Sequence, residues 1–272
     1  VSTLETPSRR LALKVVSAKS VDSDSSANRA KDALSDAARE LNYMLDNNSL
    51  FLMSAIGGGG VQLQGTDGTL ATSSYPNVGV AILMQEMFSD LAKHLETHGV
   101  LPEAHCRFYV ASVLLGFENL HSRRIIHRDI KTENVLIGLD GYVRIADFGL
   151  SKQCETVESL SFHSVCGTPD YFAPEIACLT ADEASMGAQY SKAVDLWAVG
   201  VLTYNLLEGC LPFESESDEE VDRKILAYCN QANSLPWTQS TAAGRNFVES
   251  LLQKKPDNRL GMAPQGGYVA LR

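Results

Sequence analysis

The sequence predicts an α+β fold, strand-rich over its first third and mainly helical beyond it. Three observations carry this. Early apolar residues alternate along β-branched segments. Later ones recur at helical spacing. And 44% of the 272 residues are hydrophobic, enough for a sizeable core and too many for a disordered chain.

RRLALKVV, Arg9 to Val16, alternates and reads as a strand, followed by the polar loop VDSDSSAN. Leu34, Ala38, Leu41 and Leu45 fit one face of a helix from about Asn28 to Leu45. FLMSAI, Phe51 to Ile56, reads as a short buried strand. GGGGVQLQG then opens a glycine- and Ser/Thr-rich stretch to Asn77, and Val78 to Met84 is another apolar strand. Helical spacing takes over at Met87 to Leu95. It continues over Pro102 to Ser122, which carries Phe108, Val110, Val113, Leu114, Phe117 and Leu120. Val135 to Ile137 and Tyr142 to Ile145 are strands, and Asp140-Gly141 between them is a strong hairpin signal. Val194 to Leu207 reads as a buried core helix; it holds Asp195 and is too short to span a bilayer. No internal repeat is present.

The net charge is −10 and the pI about 5.1. Such an acidic chain is poorly suited to nucleic acid or an anionic membrane and better suited to a basic peptide. The six cysteines form no CxxC pair, so they read as free thiols in a reducing compartment rather than a zinc site. His94 and His98 stand in HLETH, not HExxH, and read as a solvated helix face.

Three motifs occur in order: HRDIKTEN (His127 to Asn134), ADFG (Ala146 to Gly149) and APE (Ala173 to Glu175). Asp129 and Asn134 are five residues apart, Asn134 and Asp147 thirteen. Together they resemble the catalytic segments of protein kinases, with Ile130 where leucine is usual. The resemblance implies a bilobal fold: a partial antiparallel sheet and one helix over 1–84, and a mainly helical lobe over 85–272. Phosphoryl transfer needs positioning and charge neutralisation more than covalent help. Asp129 would be the catalytic base, with Lys131 on the transferred phosphate. Asn134 and Asp147 offer hard oxygen ligands for Mg²⁺. A lysine two residues after the base is similar to the serine/threonine-specific kinases.

LALK, Leu11 to Lys14, resembles the V-A-I-K strand, so Lys14 would hold the α- and β-phosphates of ATP. Its partner would be Glu40, 26 residues on, with Asp32 and Asp36 the competing acids. GGGGVQLQG follows both Lys14 and Glu40, the wrong place for the phosphate loop, and is expected to be part of a flexible insert over 57–77. The residues before Lys14 contain no glycine, so the glycine-rich loop is expected either to lie upstream in a longer protein or to have been lost.

EMFSDL (Glu86 to Leu91), RFYVASVLLGFENLHS (Arg107 to Ser122), CGTPDYFAPE (Cys166 to Glu175), YSKAVDLWAVGVLTYNLLEG and DNRLG (Asp257 to Gly261) resemble the AGC group, most of all the cyclic-nucleotide-dependent kinases. Calcium/calmodulin-type kinases are the nearest rivals. The resemblance leaves three inserts: Val21 to Ser26, Gly57 to Asn77, and about Thr180 to Ala188. It implies that Thr168 bridges Asp129 and Lys131. It also implies that Glu175 pairs with Arg259, that Asp195 braces the catalytic loop, and that His127, Phe148 and Met44 stack in a spine. Ala12, Leu136, Leu83 and Gln85 would surround the nucleotide, the last two through their backbone.

Glu86 and Glu133 match acids that read arginine before the target, and Asp170 joins them as a substrate-binding residue. Asn205 replaces a further family acid. ESESDEEVD, Glu214 to Asp222, reads as a solvated face. Ser164, with Ser161 second, occupies the phosphorylated position that Arg128 would order, and Cys166 reads as a packed thiol. The implied protein is a cytoplasmic or nuclear serine/threonine kinase using ATP and Mg²⁺ on basic protein substrates. Its partners would be an upstream activating kinase and a cyclic-nucleotide-binding regulatory domain or subunit, with no nucleic acid and no membrane span. A pseudokinase scaffold is the alternative. CGTPDYFAPE, a peptide-binding segment, argues against a small-molecule phosphotransferase.

Overall fold

The computed structural model describes residues 10–17, 24–62, 78–154, 165–181, 191–230 and 234–271. Alternation in LALKVVS makes strand β1 (Leu11–Ser17), and α1 (Asp24–Leu45) follows. Strands β2 (Ala55–Gln62) and β3 (Val78–Gln85) complete an antiparallel sheet in the order β1-β3-β2. The helix begins within the expected loop, at Asp24. Its buried face is Ala37, Glu40, Leu41 and Met44, whereas Leu45 is exposed. The stripe is turned from the apolar positions alone because the acid at Glu40 also faces inward.

The glycine run corrects an expectation. Gly57–Gly60 belong to β2 and are not a flexible insert; residues 63–77 lie outside the described residues. The cause is close packing. A Cβ at Gly58 would stand 2.4 Å from the Ala81 carbonyl oxygen and 2.8 Å from Leu41 Cδ1, so glycine lets β2 lie against both β3 and α1. Of FLMSAI, only Ala55 and Ile56 enter β2. Phe51 to Met53 instead tie to residue 145: the Met53 N–H donates to the Ile145 carbonyl at 2.8 Å, and the Ile145 N–H to the Phe51 carbonyl at 2.9 Å.

The sheet of the first lobe ends at Gln85, and residues 86–88 cross to β4 (Ser89–Asp90) and α2 (Leu91–His98). The helix starts later than its apolar pattern because Asp90 caps it, accepting the Lys93 N–H at 2.7 Å. The next elements are α3 (Glu103–Ser122), β5 (Ile125–Ile126), β6 (Val135–Ile137), β7 (Val143–Ile145) and β8 (Lys152–Gln153). β6 and β7 join through residues 138–142, where Gly141 takes φ 81°. Phe108 lies on the exposed side of α3, with its ring 5.3 Å from that of Tyr142.

Four helices complete the second lobe among the described residues: α4 (Pro174–Ala181), α5 (Ala193–Glu208), α6 (Asp218–Cys229) and α7 (Ala242–Leu251). α5 is buried along almost its whole length, as its long apolar run requires; α3 and α7 pack on it, and α4 and α6 pack on each other. Val221 and Asp222 are buried, so the acidic run before and within α6 is solvated only in part.

Glu208 closes α5 on the loop before α7. Its carboxylate accepts the Thr238 N–H at 2.8 Å, the Thr238 hydroxyl at 2.5 Å, the Ser240 N–H at 3.2 Å and the Ser240 hydroxyl. Burial alone would raise this acid, but the four donors hold it down at about 2. A depressed carboxyl contributes its stability above the unfolded value, near 4.5, and loses it as pH falls toward about 2. We expect wild-type melting temperature to fall through that window and Glu208→Gln to flatten the fall, at a cost of up to about 3 kcal/mol at neutral pH. Melting curves from pH 6 to 2 test this; parallel wild-type and variant profiles reject it.

Candidate active site

The site is built where β1, α1 and the loops of the second lobe converge. Alternation puts Ala12 and Lys14 on one side of β1. Lys14 Nζ lies 2.8 and 2.9 Å from the two carboxylate oxygens of Glu40, and 2.9 Å from Asp147 Oδ1. Asp32 is exposed, and Asp36 pairs with Arg39. Burial disfavours the Lys14 cation, yet its bonds to Glu40 and Asp147 outweigh this and raise its proton affinity. Burial likewise works against the Asp147 anion, but Lys14 holds its carboxyl below the ordinary carboxylate range. Strand, helix and loop are thus joined through one cation.

The catalytic-loop motif lies between β5 and β6. Asp129 receives donors on both oxygens. The Thr168 hydroxyl donates to Oδ1 at 2.8 Å, and the Asn134 amide to Oδ2 at 3.1 Å. Asn134 also donates to the Asp129 carbonyl at 2.8 Å. Lys131 Nζ donates to Thr168 Oγ1 at 2.9 Å and lies 3.4 Å from Asp129 Oδ2. Both Asn134 bonds use its amide nitrogen, so its carbonyl oxygen is not spent on them. That oxygen and the partly exposed Asp147 carboxylate are hard donors of the kind that suits Mg²⁺. Among the described residues there is no group of three or more His, Cys, Asp or Glu side chains that could hold a metal.

Two non-glycine residues here take left-handed backbone, Arg128 at φ 72° and Asp147 at φ 60°. Buried Asp195 holds the first, accepting the Arg128 N–H at 2.9 Å and the His127 N–H at 3.0 Å. The Arg128 guanidinium donates to the Leu150 carbonyl at 2.7 Å. His127 bonds the Ala146 carbonyl at 3.0 Å, and its ring lies 5.5 Å from that of Phe148. Met44 is buried. Gly167, at φ 111°, brings Thr168 in, because a Cβ there would stand 2.6 Å from the Arg128 carbonyl oxygen. No motif argument had singled it out.

Leu83 requires a correction. It pairs with Leu13 on one side and Gly57 on the other, so its backbone belongs to the sheet and is not available to a nucleotide. Gln85, the last residue of β3, lies at the lobe junction, and half-buried Leu136 lies in β6. Glu133 is exposed, and Glu86 is 3.9 Å from Arg10, a neighbour without a motif to announce it. Asp170 lies in the short 3-10 turn after Thr168; burial, then Glu214, Asp218 and Glu133, raise its carboxyl. Ser161, Ser164 and residues 182–190 lie outside the described residues. Cys166 is half-buried, and none of the six cysteines forms a disulfide.

The protein kinase domain model matches residues 8–265. The human protein kinase C eta type is 38% identical over 185 residues, covering 67% of this chain and 25% of the relative. A RAC-beta serine/threonine-protein kinase of Xenopus laevis is 37% identical over 175 residues, 64% of this chain and 33% of its own. The Schizosaccharomyces pombe serine/threonine-protein kinase sck1 is 37% identical over 172 residues, 63% and 23%. The chain thus spans about a quarter to a third of the length of these relatives. They support a likeness at the level of the AGC serine/threonine kinases rather than the cyclic-nucleotide-dependent type. With the match running across both lobes, the chain belongs to the protein kinase domain family.

Proposed function

We propose that this domain transfers the γ-phosphoryl group of ATP to serine or threonine hydroxyls of proteins bearing basic residues near the target. The observation that carries this is the hydrogen-bonded Asp129–Thr168–Lys131–Asn134 cluster together with the Lys14–Glu40–Asp147 set. Asp129 accepts the proton of the attacking hydroxyl, and Lys131 meets the charge on the transferred group. Lys14, held by Glu40, positions the α- and β-phosphates. Asn134 and Asp147 would hold Mg²⁺, which when bound neutralises phosphate charge. Ala12 and Leu136 flank the base, with Gln85 at the lobe junction. A scaffold without turnover would have no need of this complete set.

Glu86, Glu133 and Asp170 supply the acidic surface for the basic substrate. Ser164 is the activating site for an upstream kinase, and Arg128 would be the cation that its phosphate recruits. A cyclic-nucleotide-binding partner rests only on the likeness of EMFSDL, RFYVASVLLGFENLHS, CGTPDYFAPE, YSKAVDLWAVGVLTYNLLEG and DNRLG to the cyclic-nucleotide-dependent kinases. Six cysteines without a CxxC pair favour the cytoplasm or nucleus, and no helix among the described residues is long and apolar enough to cross a membrane.

The test is transfer of labelled phosphate from ATP·Mg²⁺ by the full-length protein to arginine-containing serine, threonine and tyrosine peptides. Serine and threonine peptides are expected to be labelled. Glu86→Ala should raise peptide KM about tenfold, the weight of one charge-assisted hydrogen bond, with kcat unchanged. No transfer from a folded, Ser164-phosphorylated protein would establish the scaffold instead.

A further inference from the structure

A polar chain, half-buried at Tyr268 and buried from His121 inward, runs from residues 267–271 to the catalytic loop, and the sequence motifs announce only its Asp195 end. Gly266 and Gly267, at φ 86° and 61°, turn the backbone into a short 3-10 segment, Gly267–Leu271. That turn delivers Tyr268 to the end of α3. The Tyr268 hydroxyl lies 2.5 Å from Nδ1 of His121, whose Nε2 lies 2.8 Å from Asp195 Oδ2. His121 and Asp195 are 4% and 1% exposed, so no solvent competes for these atoms. Asp195 in turn holds the amides of His127 and Arg128, the two residues before Asp129.

The donors and acceptors fit in one order. Burial, then the charges of Asp195 and Glu118, push the Tyr268 phenol far up, so it keeps its proton and donates. Nδ1 of His121 then accepts, and the ring proton sits on Nε2, directed at the carboxylate. Burial opposes the Asp195 anion, but His121 and the Arg128 amide hold its carboxyl below the usual range. Without the phenol, the Asp195 carboxylate still keeps the ring proton on Nε2, but Nδ1 loses its donor and the ring is held at one nitrogen only. The ring can then rock about that single bond, which loosens the carboxylate's hold on the Arg128 amide. That amide belongs to a residue in a left-handed conformation, one that persists only where its surroundings impose it.

We propose that Tyr268 is a positioning residue for phosphoryl transfer, fixing through His121 and Asp195 the backbone from which Asp129 projects. The proposal rests on the kinase reading, but its hydrogen-bond relay can be read without turnover. The experiment uses the full-length protein and Tyr268→Phe, which keeps the ring beneath Lys192. We expect kcat on a serine peptide to fall about five- to tenfold, the worth of one buried hydrogen bond, with KM for ATP and peptide unchanged. The ¹⁵N spectrum of histidine-labelled protein should show His121 as the Nε2–H tautomer in both, with the Nδ1 resonance moved toward that of an unbonded ring nitrogen in the variant. Hydrogen exchange at Arg128 should quicken.

A second variant separates the relay from simple loss of packing. His121→Gln keeps an N–H donor for Asp195 that needs no help from the phenol. In that background Tyr268→Phe should have no further effect on kcat. Two outcomes overturn the proposal: unchanged Arg128 exchange and kcat in Tyr268→Phe, or the same fold-loss from Tyr268→Phe in both backgrounds. If wild type transfers no phosphate, the kinase reading fails; the histidine spectrum and Arg128 exchange then still decide the relay.

Discussion

Asp129→Asn is expected to lower kcat about a thousandfold while leaving KM for ATP within about twofold. The substitution is almost isosteric, so its effect comes from hydrogen bonding. Asp129 accepts from Thr168 on one oxygen and from Asn134 on the other, with the Lys131 cation 3.4 Å from the second. An asparagine has one accepting oxygen. If its NH₂ group faces Asn134 it meets a donor, if it faces Thr168 that hydroxyl must give up its donation, and either way it has no negative charge to take a hydroxyl proton. The nucleotide is expected to be held instead by Lys14, which Glu40 and Asp147 retain in the variant. The check is steady-state kinetics with ATP and a serine peptide, together with nucleotide binding to the inactive enzyme. A variant within tenfold of wild-type kcat would remove Asp129 from the chemistry.

Much of this geometry was legible because it sits in short local segments. The spacing from Asp129 to Asn134 and the presence of Thr168 were readable before any tertiary contact was known. The approach of Lys14 to Glu40 was implied by the likeness of LALK to the V-A-I-K strand, with Asp32 and Asp36 as competing acids. The failures share a different cause, which is dependence on distant neighbours. Four successive glycines read as a loop, yet Leu41 and Ala81 make glycine at 58 the residue that fits a packed strand. The apolar face of α1 was misplaced because periodicity weighs only hydrophobic residues, whereas buried Glu40 is part of the inward face. Leu83 looked like a lobe-junction residue until the ladder placed it between Leu13 and Gly57. Tyr268 meets His121 across 147 residues, and no local pattern marks a tyrosine in GGYVALR as the partner of a histidine.

Arg259→Ala is expected to destabilise the domain by about 3–5 kcal/mol, a large share of the roughly 5–15 kcal/mol that holds a typical domain folded. Arg259 has no exposed surface. Its guanidinium donates to both Glu175 oxygens at 2.7 and 2.6 Å, to the Ala193 carbonyl at 2.8 Å and to the Gln253 carbonyl at 2.9 Å. It also lies 5.2 Å from the centre of the buried Trp197 ring. Removing it leaves the Glu175 carboxylate and two carbonyls without that donor, and a cavity beside Trp197. Lysine is a poor replacement, since a point charge cannot reproduce a two-pronged bond. Because the penalty is mostly an orphaned carboxylate, Glu175→Gln in the Arg259→Ala background should recover part of the loss. Thermal unfolding should show the single variant melting roughly ten degrees lower, with partial return in the double variant. A shift of under two degrees, or no recovery, would mean that solvent reaches Glu175 readily and that the ion pair is not what ties α4 to the base of the second lobe. The consequence for activity follows from chain order. Glu175 is seven residues after Thr168, so loosening α4 loosens the segment that brings the Thr168 hydroxyl to Asp129. In Arg259→Ala, kcat should therefore begin to fall at temperatures below the melting point.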